Sequence, residues 1–453
     1  MMIFSKYHLA TDELSDYGMP QKRIIFSTRT ATSILLDENI YNLLLENNFS
    51  IMDENIYKTL IEKEFIVSIE QDEFNYFVQE NNKKKEKVNF LAITIQPSAY
   101  CQLGCYYCGQ THKKIYASKD LIERYIGRIE YLLRQKSNIY NGIAITWYGG
   151  EPLTNYSAIE KTSEKLIEIC KKSSFTYLSD MITNGTNLKS NLFEKLVKKC
   201  GIKNFQITID GMPESHDKRR YFKSGKPTFD IIMQNIISVV NTETYINENC
   251  NINIRVNIDK TNYQYVEPFI DYIKKCSLAG KVSLYFAPII NFGGNDAGKD
   301  SLTAEFFAQK EIEWLLKCYE YGIAIFNILP KRTFYTCMAE KEDSEVWDAL
   351  GNIYPCWEFP YTDTYGKDKN RIGNLFEPEE TYSHNITVRD WNSLLISGKF
   401  DCDKCLLFPI CAGKCPKMWL EGTPACPAFK INFKEKLLLD YYIRQKRKQN
   451  AKD

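Results

Sequence analysis

Between residues 90 and 287 the chain alternates two hydrophobic patterns. Short apolar runs at 90–96, 143–147, 176–182, 205–209, 252–258 and 282–287 read as buried strands. Between them, 119–134, 158–171, 191–199, 231–240 and 265–275 carry apolar residues at helical spacing. This alternation predicts a parallel sheet with crossover helices. Six such strands predict an α/β fold, a partial (β/α)6 TIM-like barrel, with functional residues at the carboxyl ends of the strands.

The flanks read differently. Residues 23–28 and 31–36 predict short strands, 38–46 and 53–64 short helices with Asp53 as a cap, and 65–67 a third strand. The polar, charged run 81–87 predicts a linker. The expected divisions are therefore a small N-terminal α+β unit (1–88), the barrel (89–300), a bridging helix (301–336), a cysteine-rich unit (337–432) and a C-terminal helix with a basic tail (433–453). Residues 291–298 form a glycine-rich stretch without the lysine or spacing of a phosphate loop, expected to be a flexible loop near the barrel mouth.

Bulk properties narrow the function. A chain of 453 residues with 44% hydrophobic and 25% charged residues is ordinary for a globular protein of two or three domains. A net charge of +1 gives no electrostatic case for nucleic acid. No apolar run of spanning length occurs, and the first residues lack the apolar core of a signal peptide. No nucleic acid or membrane partner is expected, and the expected location is cytoplasmic. Fifteen cysteines in such a chain argue against a disulfide framework. Ten of them fall in two groups, at 101–108 and 337–426. Cys170, Cys200, Cys250, Cys276 and Cys318 are scattered and read as packed structural thiols. The four histidines are too dispersed for a histidine-based metal site.

The chemistry starts at Cys101-Gln102-Leu103-Gly104-Cys105-Tyr106-Tyr107-Cys108, directly after the first barrel strand. Soft thiolates select zinc, Cu(I) or iron–sulfur clusters. Three thiolates satisfy three corners of a 4Fe–4S cube and leave one iron open to a small chelator. The plainer alternative is a zinc knuckle or three incidental cysteines, against which stands the preference of zinc for four ligands.

This spacing resembles the signature of the radical S-adenosylmethionine (radical SAM) superfamily. Gly149-Gly150-Glu151-Pro152, at the end of the second strand, is similar to that family's motif for the SAM amino group. The resemblance implies that Cys101, Cys105 and Cys108 hold the SAM-binding cluster. It also implies cofactor contacts from Gly149, Gly150, Glu151, Asn184, Thr208, Arg220 and Asn257. Thr208 and Arg220 would approach the SAM carboxylate, with Arg219 as the alternative, because a guanidinium fork binds both carboxylate oxygens. Asn257 would reach ribose or adenine. Asp210, by position alone, is the candidate catalytic residue near the reaction space.

The second group resembles the SPASM extension of radical SAM enzymes. Gly351, Pro355 beside Cys356, and Cys411-Ala412-Gly413-Lys414-Cys415 carry the match. It implies auxiliary cluster I on Cys337, Cys356 and Cys415, and auxiliary cluster II on Cys402, Cys405, Cys411 and Cys426. No cysteine lies just before Cys337, and Cys318 is nineteen residues upstream, so an open iron is expected on cluster I. The expected cofactors are SAM and three 4Fe–4S clusters. The expected activity is that of a peptide maturase, an oxidoreductase abstracting hydrogen from a ribosomally made precursor peptide to install a crosslink or related modification. Its partners would be that peptide and a reductant such as flavodoxin or ferredoxin. The alternatives are an anaerobic sulfatase-maturating, formylglycine-forming enzyme and a non-enzymatic iron–sulfur or zinc scaffold that binds peptides.

Overall fold

A computed structural model describes residues 1–450 of the chain except 137–138, 292–294, 326–327, 367–369 and 384–385. In the first segment, β1 (Met2–Phe4) pairs antiparallel with β5 (Ile66–Ser68). The strands β2 (His8–Ala10), β3 (Lys22–Ser27) and β4 (Thr32–Asp37) form an antiparallel sheet. Helices Glu38–Leu45 and Glu54–Glu62 follow, and Asp53 caps the second by accepting from the amides of Asn55 and Ile56. The short strands β1 and β2 went unpredicted. Three half-buried residues each give too little periodicity to read.

The expected linker at 81–87 is instead mostly helix. Helix Glu73–Glu86 starts on an Asp72 cap and carries the charged run through its last turns. Phe74, Phe77 and Val78 are buried on one face. Asn81 accepts from Arg332 at 3.0 Å and Asn82 from Asn392 at 2.6 Å, which pays for ordering the polar stretch. Lys83, Lys84 and Lys85 lie in the last turn, where the helix dipole favours cations.

The six expected barrel strands are present as β6 (Phe90–Ile95), β7 (Gly142–Trp147), β8 (Thr176–Thr183), β9 (Ile202–Thr208), β10 (Asn251–Ile258) and β11 (Val282–Pro288). Each is parallel to the next. Helices Lys119–Gln135, Tyr156–Ser173, Ser190–Lys198, Phe229–Val240 and Val266–Lys275 make the crossovers. β12 (Ala324–Ile325) extends the sheet beyond β11. At the other edge β13 (Glu345–Trp347) lies parallel beside β6, followed by antiparallel β14 (Asn352–Tyr354) and β15 (Gly373–Asn374). The result is an open, largely parallel α/β sheet of ten strands. The cysteine-rich segment is thus hydrogen-bonded into the barrel sheet, which its short, non-alternating runs did not reveal.

One apolar core runs under this sheet, from Leu91 and Ile93 through Phe205 and Ile254 to Trp314, Trp347 and Ile443. Burying each large apolar side chain of this kind stabilises the fold by about 1.5–3 kcal/mol. Cys170, Cys200, Cys250 and Cys318 are buried in it, as structural thiols should be, and Cys276 packs against it. The glycine-rich loop falls partly outside the described residues. No described helix is long and apolar enough to cross a membrane.

Arg128 ties the first crossover helix to β13. Its side chain is 10% exposed and meets Glu345, 2% exposed, at 2.5 Å; a second bond at 2.9 Å reaches Glu379. Arg128→Ala leaves the Glu345 carboxylate buried without its cation and is expected to cost about 3–5 kcal/mol. Arg128→Met with Glu345→Gln, which keeps an acceptor for the buried Trp347 Nε1, should recover most of that loss. Urea midpoints of the two variants check this, and equal loss in both would show that the charges are not the cause.

Candidate active site

The cysteine loop leaves β6 and is clamped from one side. Gly104 N donates to Tyr221 O at 2.9 Å, Tyr106 N to Arg219 O at 3.2 Å, and Lys223 N to Gln102 O at 2.9 Å. Cys108 N donates back to Cys105 O at 3.1 Å, which curls the end of the loop. Burial, the Glu151 charge and the two neighbouring thiols push Cys101 up to about 12. Burial and Cys108 push Cys105 up to about 11, against Arg220. Bare thiols here stay protonated, whereas a bound metal centre supplies the charge that takes them as thiolates.

Cys101, Cys105 and Cys108 line a cavity of about 290 Å³, together with Gly149, Gly150, Glu151, Asn184, Thr208, Arg220 and Asn257. The two glycines are needed for a close approach. A Cβ on Gly149, where φ is +109°, would lie 2.8 Å from Gln96 Cβ, and one on Gly150 would lie 2.6 Å from Tyr100 O. Gly150 N and Glu151 N donate to Ser98 O and Tyr100 O at 3.1 and 2.8 Å. The turn therefore presses on the start of the cysteine loop. Glu151 is 1% exposed and accepts from Leu153 N at 3.1 Å, Thr183 Oγ1 at 2.7 Å and Asn184 N at 2.7 Å. A carboxylate has about four acceptor positions, so one remains for a further donor. Asn184 holds Thr186 through its Oδ1 and turns its Nδ2 to Cys101 Sγ at 3.7 Å.

The structure separates the two adjacent arginines. Arg219 faces away from the cavity, engaged with Asp210, Asp259, Thr261 Oγ1 and Asn257 O. Arg220 lines the cavity, donates to Tyr107 OH at 2.8 Å, and keeps a buried Nε with no partner among the described residues. Asn257 Nδ2 donates to the same Tyr107 hydroxyl at 3.1 Å, and its Oδ1 accepts from Arg255. Asp210 is fully buried, pairs with Arg219 at 3.3 Å and accepts from Asn257 N at 3.2 Å. It is absent from the cavity wall, so its position is that of a brace for the strand ends.

Sequence reasoning passed over several wall residues, among them His112, Tyr148, Arg255, Trp357 and Glu358. Burial lowers His112 to about 4, with Lys223 adding to it. Glu358 projects a carboxylate with no hydrogen-bond partner among the described residues, and burial raises its pKa. Its one sequence signal is its place two residues after Cys356.

The later cysteines fall into two further groups. The Cys337 and Cys415 thiols act on Cys356, which burial raises further. Cys411, Cys405 and Cys426 act on Cys402, which burial pushes up to about 12. Lys430 Nζ reaches Cys426 Sγ at 3.5 Å. Between the groups, Ala412, Gly413 and Lys414 all have positive φ, at 48°, 80° and 57°. A Cβ on Gly413 would strike Trp391 at 2.5 Å. This tight turn sends Cys411 and Cys415 to different groups. Gly351, at φ +83°, closes the β13–β14 turn that leads to Cys356. Among the described residues no three of these side chains meet closely enough to surround a single metal ion.

Residues 95–273 match the Radical SAM superfamily. The chain therefore carries a radical SAM domain, the class whose members combine SAM with a 4Fe–4S cluster. It is 25% identical over 379 residues to the serine-type anaerobic sulfatase-maturating enzyme of Bacteroides thetaiotaomicron, covering 74% of this chain and 84% of that one. It is 25% identical over 233 residues to the sporulation killing factor maturation protein SkfB of Bacillus subtilis, covering 51% and 50%. Among solved structures, that of Streptococcus suis SuiB bound to the precursor peptide SuiA superposes with a TM-score of 0.50 at 17% identity, covering 94% of this chain and 99% of that one. That likeness is one of fold.

Gly150→Ala tests the packing of this site. Its Cβ would overlap backbone that cannot rotate away, so a loss of about 1–3 kcal/mol is expected. The urea midpoint should fall, and iron bound on anaerobic reconstitution should fall with it. A variant matching wild type in both would show that the turn tolerates a side chain.

Proposed function

We propose that the protein is a radical SAM/SPASM peptide maturase that abstracts hydrogen from a ribosomally made precursor peptide and installs a crosslink or related modification. The observation that carries the reading is the shared cavity, whose wall joins the first thiol group, Glu151 and Arg220 to Trp357 and Glu358, next to Cys356. SAM bound there, given one electron through a 4Fe–4S cluster, would supply the 5′-deoxyadenosyl radical. In this reading Cys101, Cys105 and Cys108 hold that cluster, Cys337, Cys356 and Cys415 hold auxiliary cluster I with one iron open, and Cys402, Cys405, Cys411 and Cys426 hold auxiliary cluster II. Glu151 offers its remaining acceptor position to the SAM ammonium. Arg220 offers its unpartnered Nε to the carboxylate, an acceptor that a buried donor otherwise lacks. Asn184, Thr208 and Asn257 border the rest of the cofactor. The cavity wall would hold that radical against its substrate and away from other hydrogen donors.

The relation to SkfB supports a peptide substrate, as does the fold likeness to a protein crystallised with its precursor peptide, which extends over 94% of this chain. The reading includes a cytoplasmic location and reduction by flavodoxin or ferredoxin. The second reading, formylglycine formation on a sulfatase, is favoured by the longer sequence match to the sulfatase-maturating enzyme, over 74% of the chain.

Anaerobically reconstituted protein is expected to hold about twelve irons, four per cluster, and to release 5′-deoxyadenosine with dithionite. Cys105→Ala should abolish that release; if it persists, the cluster assignment is wrong. Mass spectrometry then separates the two readings. A precursor peptide encoded beside the gene should lose hydrogen with crosslinking, while a serine- or cysteine-containing sulfatase peptide stays unchanged. Formylglycine in the latter would establish the second reading.

A further inference from the structure

Tyr107 stands between the second and third cysteines of the first group, and it lines the cavity. Its place is fixed by the fold. Asn295 Nδ2 donates to its carbonyl at 2.6 Å. The Tyr106 ring meets its ring edge-on at 5.3 Å, and the Arg219 guanidinium lies 5.6 Å from the ring centroid.

The neighbours of its hydroxyl decide where the phenol proton can go. A guanidinium only donates. Arg255 Nε lies 2.8 Å from the Asn257 side chain, so the atom it meets must be the amide oxygen, Oδ1. The other end of that amide, Nδ2, is then the atom 3.1 Å from the Tyr107 hydroxyl, and it donates. Arg220 Nη1 donates to the same oxygen at 2.8 Å. Two donors fill the acceptor positions of a phenol oxygen. Neither can take the phenol proton, and no described residue accepts it. The remaining direction of this hydroxyl is free for a ligand that brings an acceptor into the cavity.

We propose that the Tyr107 hydroxyl donates a hydrogen bond to the carboxylate of bound SAM, beside Arg220. This rests on the reading of the cavity as the SAM site. A carboxylate suits the position because Arg220 holds an unpartnered Nε on the same guanidinium that donates to Tyr107, and supplies the opposite charge. Donation from Arg220 and Asn257 polarises the hydroxyl and makes it a stronger donor in turn. Tyr107 is thus a cofactor-contacting residue, and the Arg255–Asn257 bond orients it from the far side of the barrel.

Equilibrium binding of radiolabelled SAM to anaerobically reconstituted protein tests this without turnover. Tyr107→Phe should weaken SAM binding by roughly tenfold, the worth of one hydrogen bond to a charged group, with iron and sulfide content unchanged. Binding of decarboxylated SAM, measured by competition, should stay as in wild type. Unchanged SAM affinity, or an equal loss for both compounds, would overturn the proposal. Incorporation of 3-fluorotyrosine at position 107, assayed where the phenol is protonated, separates donation from bracing. It keeps the ring and the hydroxyl, so it also serves if Tyr107→Phe loses iron. Fluorine makes the phenol a stronger donor and a weaker acceptor, so a hydroxyl that donates to SAM should bind it more tightly. Unchanged or weaker binding would mean that the hydroxyl only accepts from Arg220 and Asn257, and would overturn the proposal. Failure of the wild-type protein to bind SAM at full iron content would instead remove the SAM reading itself, before Tyr107 is changed.

Discussion

The site depends on one buried guanidinium. Arg219, its side chain 4% exposed, bonds Asp210 just past β9, Asn257 O in β10, Asp259 just beyond that strand, and the Tyr106 hydroxyl of the cysteine loop. Its own carbonyl accepts from Tyr106 N. Burial works against the Asp259 charge, but hydrogen bonds from Arg219, Tyr106 and Thr261 outweigh it and hold the pKa below its usual value. A buried arginine without such partners would be uncompensated at a cost of several kcal/mol. Meeting that demand fixes two strand ends and the loop in one arrangement. It also decides the role of the next residue. With Arg219 committed to the scaffold, Arg220 is left on the cavity side with a free donor. Two arginines and two aspartates balance in charge, which makes the addition of an anion at Arg220 a perturbation of a neutral set rather than of a positive one.

Much of this was legible in the sequence, for reasons that differ by element. Most of the six barrel strands are apolar because a parallel sheet is covered by its crossover helices, and that produces the runs seen at β6 to β11, although β8 leaves Thr176, Leu178 and Asp180 exposed. The cysteine loop and the Gly149–Pro152 turn were visible because their residue types have few other uses at that spacing. Adjacent glycines signalled a close approach, and the surface they approach in the fold is the chain at 96–100. Other features had no local signal. β13 is three residues long and joins β6 across about 250 residues of chain. Glu358 is one carboxylate among many until folding buries it. The run 81–87 has linker composition, and only Arg332 and Asn392 make its asparagines worth ordering. The choice between Arg219 and Arg220 could not be made from adjacent identical residues at all.

The pairing of β13 with β6 helps to explain how Trp357 and Glu358, beside Cys356, come to line the same cavity as the first thiol group. β6 runs into the first thiol group, and the β13–β14 hairpin runs into Cys356. β14 lies one strand beyond β13 and runs antiparallel to it, so its exit at Tyr354 is level with Val346 and Thr94, two strand spacings of about 5 Å each from β6. Thr111, just after the first group, then bonds Tyr361 O at 2.7 Å and Asp363 at 2.8 Å. Arg128 holds the same hairpin from the helix layer. The spacing between the first and second thiol groups is therefore set by sheet geometry, which is stiff, and not by the long chain between them. A reaction that must keep a substrate within reach of both groups benefits from that stiffness, because misplacement by an ångström is enough to slow a positioned reaction.

The N-terminal segment changes meaning in the same light. Its strands and short helices could be read as a recognition unit joined by a linker or as a cover for the barrel edge. Helix Glu73–Glu86 packs on Trp391–Ile396, Phe26 of β3 meets Phe433 at 5.0 Å, and Phe74 meets Phe408 at 4.8 Å. Buried Arg29 pairs with Glu73 at 2.7 Å within the same layer. These contacts belong to the cysteine-rich end of the chain. A segment docked this way can still present a free strand edge or helix face to a peptide, but it does so from a fixed place. Packing and recognition are then not rival roles for residues 1–88. The apolar contacts that seat the segment also determine where anything bound to it would sit relative to the thiol groups, and any motion on binding would be passed first to the loop that carries Cys402 and Cys405.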